Sequence, residues 1–195
     1  GGVGGGAGGG AANGGRGGRY RVSGTPPPGR NGHTATLACG CSRTRGGEGG
    51  PEAAGVNELE DDVEGLGGGV GVGTDESDDA RIIVIGGWLG TGPLAASDMH
   101  VLDLSGGPEN LRWFQPPVRG TPPGPCNMHS ADYVASLGEI YVFRGGNGRE
   151  YLNDLHALDA STYEWRRVAT RGSAPQPRAN HSSAVLDETS ELFIF

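Results

Sequence analysis

Three histidines stand in one register. His33, His129 and His181 each follow a glycine by nine residues, at Gly24, Gly120 and Gly172, with Pro27, Pro123 and Pro175 at a shared internal offset. Imidazoles gathered from strands around one axis could hold copper or iron. The sequence supplies nothing to complete such a centre: no carboxylate joins the register, and no Tyr and Cys pair is placed for a radical cofactor. The reading favoured instead is that each imidazole ties its turn to the neighbouring backbone by a hydrogen bond. Cys39 and Cys41 are too few for structural zinc, which takes four ligands. A P-loop, a Gly-x-Ser-x-Gly elbow and a dinucleotide fingerprint between strand and helix are all missing from the sequence. The chain is therefore expected to be no enzyme and to carry neither metal nor cofactor.

The chemistry left is recognition. Trp88, Arg119, Asn147, Arg149, Tyr151, Arg171 and Arg178 fall in segments that read as connecting loops. Arginine and aromatic side chains on rigidly held loops are the usual material of partner hot spots. Four of the seven are arginines, which favours an acidic peptide segment of a protein partner. Arg16-Gly17-Gly18-Arg19 has the form of the Arg-Gly segments that bind single-stranded RNA. A single such unit without an aromatic ladder reads better as a linker, so nucleic acid is not the expected partner.

The elements that must position these residues come from an unusual composition. Of 195 residues, 40 are Gly and 13 are Pro, at the level where low-complexity sequence begins. Residues 1–23 form a Gly/Arg-rich segment expected to be disordered, because glycine is the costliest residue to order and little apolar surface is present to offset that cost. Charge is also uneven. Residues 1–32 hold four Arg and no acid, residues 38–80 hold eleven acids and two Arg, and residues 81–195 hold nine Arg and twelve acids. An acidic low-complexity insertion at 38–80 thus interrupts a nearly balanced region. The three cysteines form no disulfide framework and fit a reducing compartment, the cytoplasm or nucleus. No apolar run is long enough to span a membrane as a helix. The chain has no initiator Met and ends inside the apolar run Leu192 to Phe195, so it reads as a fragment.

A period near fifty organises the rest. Gly120 and Gly172, His129 and His181, and Phe143 and Phe195 are each 52 residues apart. After each histidine comes a short strand of small and β-branched residues: Thr34 to Leu37, Ser130 to Val134, Ser182 to Leu186. A second strand, apolar on both parities and hence buried on both faces, follows at Arg81 to Ile85, Glu139 to Phe143 and Glu191 to Phe195. A third, at Asp98 to Leu104 and Asp154 to Ala160, carries His100 and His156, expected to point outward. Trp113 and Trp165 mark a fourth, and each is expected to pack on its own sheet. Blades are therefore expected at 24–119, 120–171 and, in part, 172–195.

On Gly86-Gly87 and Gly145-Gly146, on Trp113 and Trp165, and on Pro177-Arg178 with His181, the sequence resembles the kelch-repeat family over residues 24–195. Its long Gly-x-x-Pro-x-Pro-Arg-x-x-His turn is similar to that of the Rab-effector and host cell factor types. The resemblance implies an all-β fold, a partial β-propeller of about two four-stranded blades plus part of a third, with the remaining blades outside this chain. It also implies a non-catalytic protein-interaction scaffold or adaptor. Two departures stand out: Arg144 interrupts the strand-to-diglycine junction, and Cys126 replaces the turn arginine. A galactose-oxidase-like metal-dependent propeller and RNA binding through the Gly/Arg tail are the alternatives. Alternating strand direction puts Gly86 to Ser97, Gly145 to Leu152, Gln115 to Met128 and Thr170 to Asn180 on one face, the diglycine face, opposite the acidic insertion.

Overall fold

The computed structural model describes residues 20–40 and 79–195. The Gly/Arg-rich tail through residue 19 and residues 41–78 of the acidic insertion lie outside the described residues. Within them the chain is all β, arranged as three sheets.

The first sheet holds β1 (Val22–Ser23), β2 (Thr34–Ala38), β3 (Arg81–Ile85), β4 (His100–Asp103) and β5 (Leu111–Phe114), in the order β1-β5-β4-β3-β2. The second holds β6 (Arg119–Gly120), β7 (Ser130–Val134), β8 (Glu139–Gly146), β9 (Tyr151–Asp159) and β10 (Glu164–Arg167), in the order β6-β10-β9-β8-β7. The third is a hairpin of β11 (Ser183–Leu186) and β12 (Glu191–Ile194). Every strand anticipated from the period is present. The first two sheets nevertheless have five strands each, one more than the four expected of a blade. Before its inner strand the chain contributes a two-residue strand parallel to the outermost one, Val22 opposite Leu111 in blade 1 and Arg119 opposite Glu164 in blade 2. The strand at Val22–Ser23 lies just upstream of Gly24.

Positive φ punctuates the turns at matching repeat positions. Gly24, Gly120 and Gly172 have φ of 78°, 74° and 78°, and the residue just before each histidine, Gly32, Met128 or Asn180, has φ of 60°, 51° or 54°. At Gly120 the requirement is also steric: a Cβ there would lie 2.0 Å from the Trp165 carbonyl oxygen, because β6 crosses close to β10.

The inner strands β2, β7 and β11 stand side by side. The backbone N–H of Met128 donates to the Gly32 carbonyl (2.8 Å), and that of Asn180 donates to Met128 (3.0 Å). His129 Nε2 lies 2.9 Å from Thr34 Oγ1, and His181 Nε2 lies 2.9 Å from Ser130 Oγ. His129 and His181 therefore each meet a hydroxyl on the preceding blade. The bond to neighbouring backbone that the register suggested belongs to the residue before each.

The largest body of packed side chains lies between blades 1 and 2. Ala38, Ile83, Ile85 and Val101 of blade 1 meet Ile140, Val142, Leu158 and Trp165 of blade 2, with Ala131 and Tyr133 at the margin. Trp165 is 1% exposed, whereas Trp113, at the same repeat position, is only half-buried. The difference is coverage: the face bearing Trp165 looks onto blade 1, while the face bearing Trp113 has no described neighbour. The tryptophan is thus a contact between blades more than an anchor on its own sheet. His100 and His156 do not point outward but are both buried.

Candidate functional site

The diglycine face at the junction of blades 1 and 2 is built from two crossed loops. After β3, Gly86 and Gly87 have φ of 61° and 101°. A Cβ at Gly86 would come within 2.4 Å of the Cys126 carbonyl oxygen, so glycine is what lets the two turns touch. Trp88 follows, held by paired backbone bonds with Asn31 (2.8 and 3.2 Å). From blade 2, the β8–β9 hairpin rises beside it. The Asn147 side-chain oxygen accepts from the backbone N–H groups of Arg149 and Glu150, both at 2.9 Å, which fixes the tip. Asn127 and Gly146 exchange two backbone bonds of 2.9 Å, which tie that hairpin to the entering turn.

Three clefts meet at Trp88. One, of about 490 Å³, is lined by Trp88, Asn127, Met128, Arg149, Glu150 and Tyr151. A second, of about 500 Å³, runs from Trp88 past Pro93 and Pro125 to Arg144, Asn147 and Arg149. The third, also about 500 Å³, lies toward the axis between Trp88, Asn31, Met128 and Asn180. Tyr151 is 60% exposed beside the first. Arg149 is exposed and makes no ion pair among the described residues. The Asn127 side-chain oxygen is buried without a hydrogen-bond partner among the described residues.

Beneath the clefts lies a charged floor. Asp154 accepts from Arg144 Nη1 at 3.2 Å and lies 2.9 Å from His156 Nε2, and all three side chains are largely buried. Burial pushes the Asp154 carboxyl up, but the hydrogen bond from His156 and the charge of Arg144 outweigh it and hold it below the usual carboxylate range. In blade 1 the corresponding cation is Arg30, which comes from the turn and not from the strand. Its Nε donates to Pro28 and its Nη1 to Gly86. Burial lowers its pKa and the nearby charge of Asp98 raises it. Arg178 repeats the same reach, Nε to the carbonyl two residues back, at Gln176. In blade 2 that turn position is Cys126, fully buried, its thiol pushed up by burial to about 12. The missing guanidinium is supplied by Arg144. Asn153 and Asp154 of β9 together oppose this single residue where the ladder slips between Phe143 and Gly145. A Cβ on Gly124 would lie 2.6 Å from Arg144 Nη2, so the guanidinium occupies the space over the turn. The two departures from the repeat compensate one another.

Of the seven residues anticipated for recognition, Trp88, Asn147, Arg149 and Tyr151 are brought together here. Arg178 lies on the same face but further round, its N–H donating to Leu152. Arg119 is not on this face. It sits in β6, its N–H donating to Tyr163 in the β9–β10 turn, at the end of the blade away from the diglycine. Arg171 holds the same repeat position as Arg119, is exposed, and lines none of the three clefts. Counting residues made 115–128 a single loop, and the parallel strand hidden within it moved Arg119 to the outer edge. Met128 and Arg144 were not among the anticipated residues, although the disruption of the repeat at Arg144 was a usable signal.

The Nε2 atoms of His129 and His181 are turned to hydroxyls, and among the described residues no three His, Cys, Asp or Glu side chains group as ligands. Burial, with the neighbouring His181 and His33, lowers the His129 pKa to about 4. No described helix is long and apolar enough to cross a membrane.

The family model described as the KLHDC2/KLHL20/DRC7 Kelch-repeats domain matches residues 76–195. Acyl-CoA-binding domain-containing protein 5 of Arabidopsis thaliana is 36% identical over 92 residues, 47% of this chain and 13% of that protein. Rab9 effector protein with kelch motifs of Mus musculus is 38% identical over 91 residues, 45% of this chain and 23% of its own length. Kelch domain-containing protein 2 of Bos taurus is 33% identical over 109 residues, 55% and 25% respectively. The chain thus covers a quarter or less of each of these relatives.

Proposed function

Because the chain belongs to the kelch-repeat family, matched over residues 76–195, we propose that it is a non-catalytic interaction module whose diglycine face docks an acidic peptide segment of a protein partner. Kelch-repeat relatives point to a protein-interaction domain, and the acidic peptide is the finer reading argued here. One observation carries it: three clefts share the wall of Trp88, and the exposed Arg149 projects beside it from a hairpin tip locked by Asn147. An indole wall offers apolar contact to a side chain inserted from the partner, and a guanidinium held by a rigid turn meets a carboxylate at little entropic cost. Arg144 is already paired with Asp154, so the free positive charge beside the cleft is that of Arg149.

The test is capture of partners from an extract by the full chain, compared with Trp88→Ala, Arg149→Glu and Arg119→Glu. The first two are expected to weaken the same partner by roughly 10-fold or more, as for central hot-spot residues. Arg119→Glu, at the other end of the blade, is expected to leave it bound. Equal loss in all three variants, or retention by both Trp88→Ala and Arg149→Glu, would remove the site from consideration. The Arg-Gly tail that would carry RNA binding lies outside the described residues. The module reading predicts that deleting residues 1–19 leaves partner capture intact.

A further inference from the structure

The turn that enters the inner strand of blade 2 carries a polar side chain that the fold does not use. Asn127 is 8% exposed, and its Oδ1 is buried with no hydrogen-bond partner among the described residues. What ties Asn127 into the structure is its backbone, which exchanges two bonds of 2.9 Å with Gly146. Any residue but proline could make those. The same repeat position, two before the register histidine, holds Asn31 in blade 1 and Ala179 in blade 3, so the turn itself does not call for a carboxamide. A buried acceptor left unpaired costs free energy in the free chain. Its surroundings indicate what could pair with it. Asn127 lines both the cleft that runs to Arg149 and Tyr151 and the axial one, and Trp88 and Met128 line the same two. The wall is preformed. A Cβ on Gly148, at the hairpin tip, would lie 3.2 Å from the Trp88 ring and 3.0 Å from Pro93, so the tip of blade 2 leans directly on the indole of blade 1. The Glu150 carboxylate beside the first cleft is met by Asn147 Nδ2 at 3.4 Å.

We propose that Asn127 reads the main chain of the docked segment, its Oδ1 accepting a peptide N–H, so that the segment crosses Trp88 in extended form with an acidic side chain directed to Arg149. The assignment rests on the docking reading above and adds a fixed register for the backbone. An amide oxygen only accepts, and so does an ionised carboxylate, so the acidic side chains of the segment cannot satisfy it. The main-chain N–H, present on every residue but proline, is the donor such a segment always brings. In the interior of a helix those N–H groups are already spent on carbonyls of the same helix, which is why the segment is extended. The terminal torsion of an asparagine is broad, so the carboxamide can tilt toward the ligand without moving its backbone.

The test uses peptides selected from a random display library on the 195-residue chain, then synthesised and titrated by fluorescence anisotropy. Binding is compared for the native chain, Asn127→Ala, Trp88→Ala and Arg149→Glu, with circular dichroism melts to establish that each is folded. For a peptide that Trp88→Ala and Arg149→Glu both weaken, Asn127→Ala is expected to lower affinity about 10-fold or more. Methylating the peptide's backbone nitrogens one at a time then locates the amide. At one position methylation is expected to cost the native chain a similar factor and to cost Asn127→Ala almost nothing further, as for two changes that remove the same bond. If Asn127→Ala does not fold, Asn127→Leu, close to asparagine in shape, takes its place. Peptides that need Trp88 and Arg149 yet bind Asn127→Ala undiminished overturn the assignment and leave the docking reading standing. So does a scan in which no methylation weakens the native chain, or in which every methylation costs both chains equally. A library that yields no peptide dependent on Trp88 and Arg149 removes the docking reading, and the assignment with it.

Discussion

Moving the arginine from position 144 to position 126, as Arg144→Gln with Cys126→Arg, tests whether the two departures from the repeat are one compensated change. Replacing Arg144 with Gln removes the cation from Asp154 and leaves a carboxylate that is 16% exposed with only His156 against it. Breaking a fully buried pair costs about 3–5 kcal/mol, and the residual exposure of this one reduces that to about 2 kcal/mol. For a domain of this size that is roughly 4–8 °C in melting temperature. Cys126→Arg alone forces a second guanidinium into a fully buried position beside Arg144 and is also expected to destabilise. In the double variant the turn arginine takes the reach seen in Arg30 and Arg178, Nε to the carbonyl two residues back, and restores the cation near Asp154. The two losses are therefore expected to be less than additive, with a coupling of about 1–2 kcal/mol. Urea unfolding of all four proteins by circular dichroism, repeated from pH 7 to pH 3, reads the cycle. Asp154 titrates below its ordinary value in the folded chain, so its contribution is present above the ordinary carboxylate range and is lost as pH falls through the folded value. Arg144→Gln is expected to diminish that acid-side loss. Strict additivity, or an Arg144→Gln variant as stable as the native chain, would refute the relocation.

Two further outcomes follow from single positions. Gly120 and Gly172 share a φ near 75°, but a Cβ at Gly120 meets the Trp165 carbonyl at 2.0 Å while one at Gly172 meets nothing within 4 Å. Ala at 172 is expected to cost about 1 kcal/mol for the left-handed conformation alone. Ala at 120 is expected to cost distinctly more, because β6 must leave β10, and equal losses in thermal melts would contradict the stacking. His129, with its pKa lowered by burial to about 4, stays neutral in the fold while the unfolded chain protonates it near 6.5. Its contribution is complete above the unfolded value and drains as pH falls from about 6.5 toward 4, by about 3 kcal/mol in all. His129→Gln is expected to flatten that stretch of the stability-versus-pH curve, and an unchanged slope would show that the imidazole is not held neutral.

Much of this architecture was legible because repeat information is local. Spacing placed the strands, since each blade spells its own alternation and its own turn glycines, and the Gly120 turn needs nothing beyond φ and a close carbonyl to be understood. What could not be read was whatever depends on the next blade. The parallel strands Val22–Ser23 and Arg119–Gly120 are two residues long and carry no pattern, so only packing against β5 and β10 defines them. Trp113 and Trp165 look alike in sequence, and their burial differs because one has a neighbouring sheet among the described residues and the other has none there. The cleft residues Trp88 and Tyr151 stand 63 positions apart, and nothing local says that a loop of blade 1 and a hairpin of blade 2 share a wall. Periodicity determines what each sheet is, and the stacking of sheets determines which side chains are sheltered, which are shared between blades, and where a partner could sit.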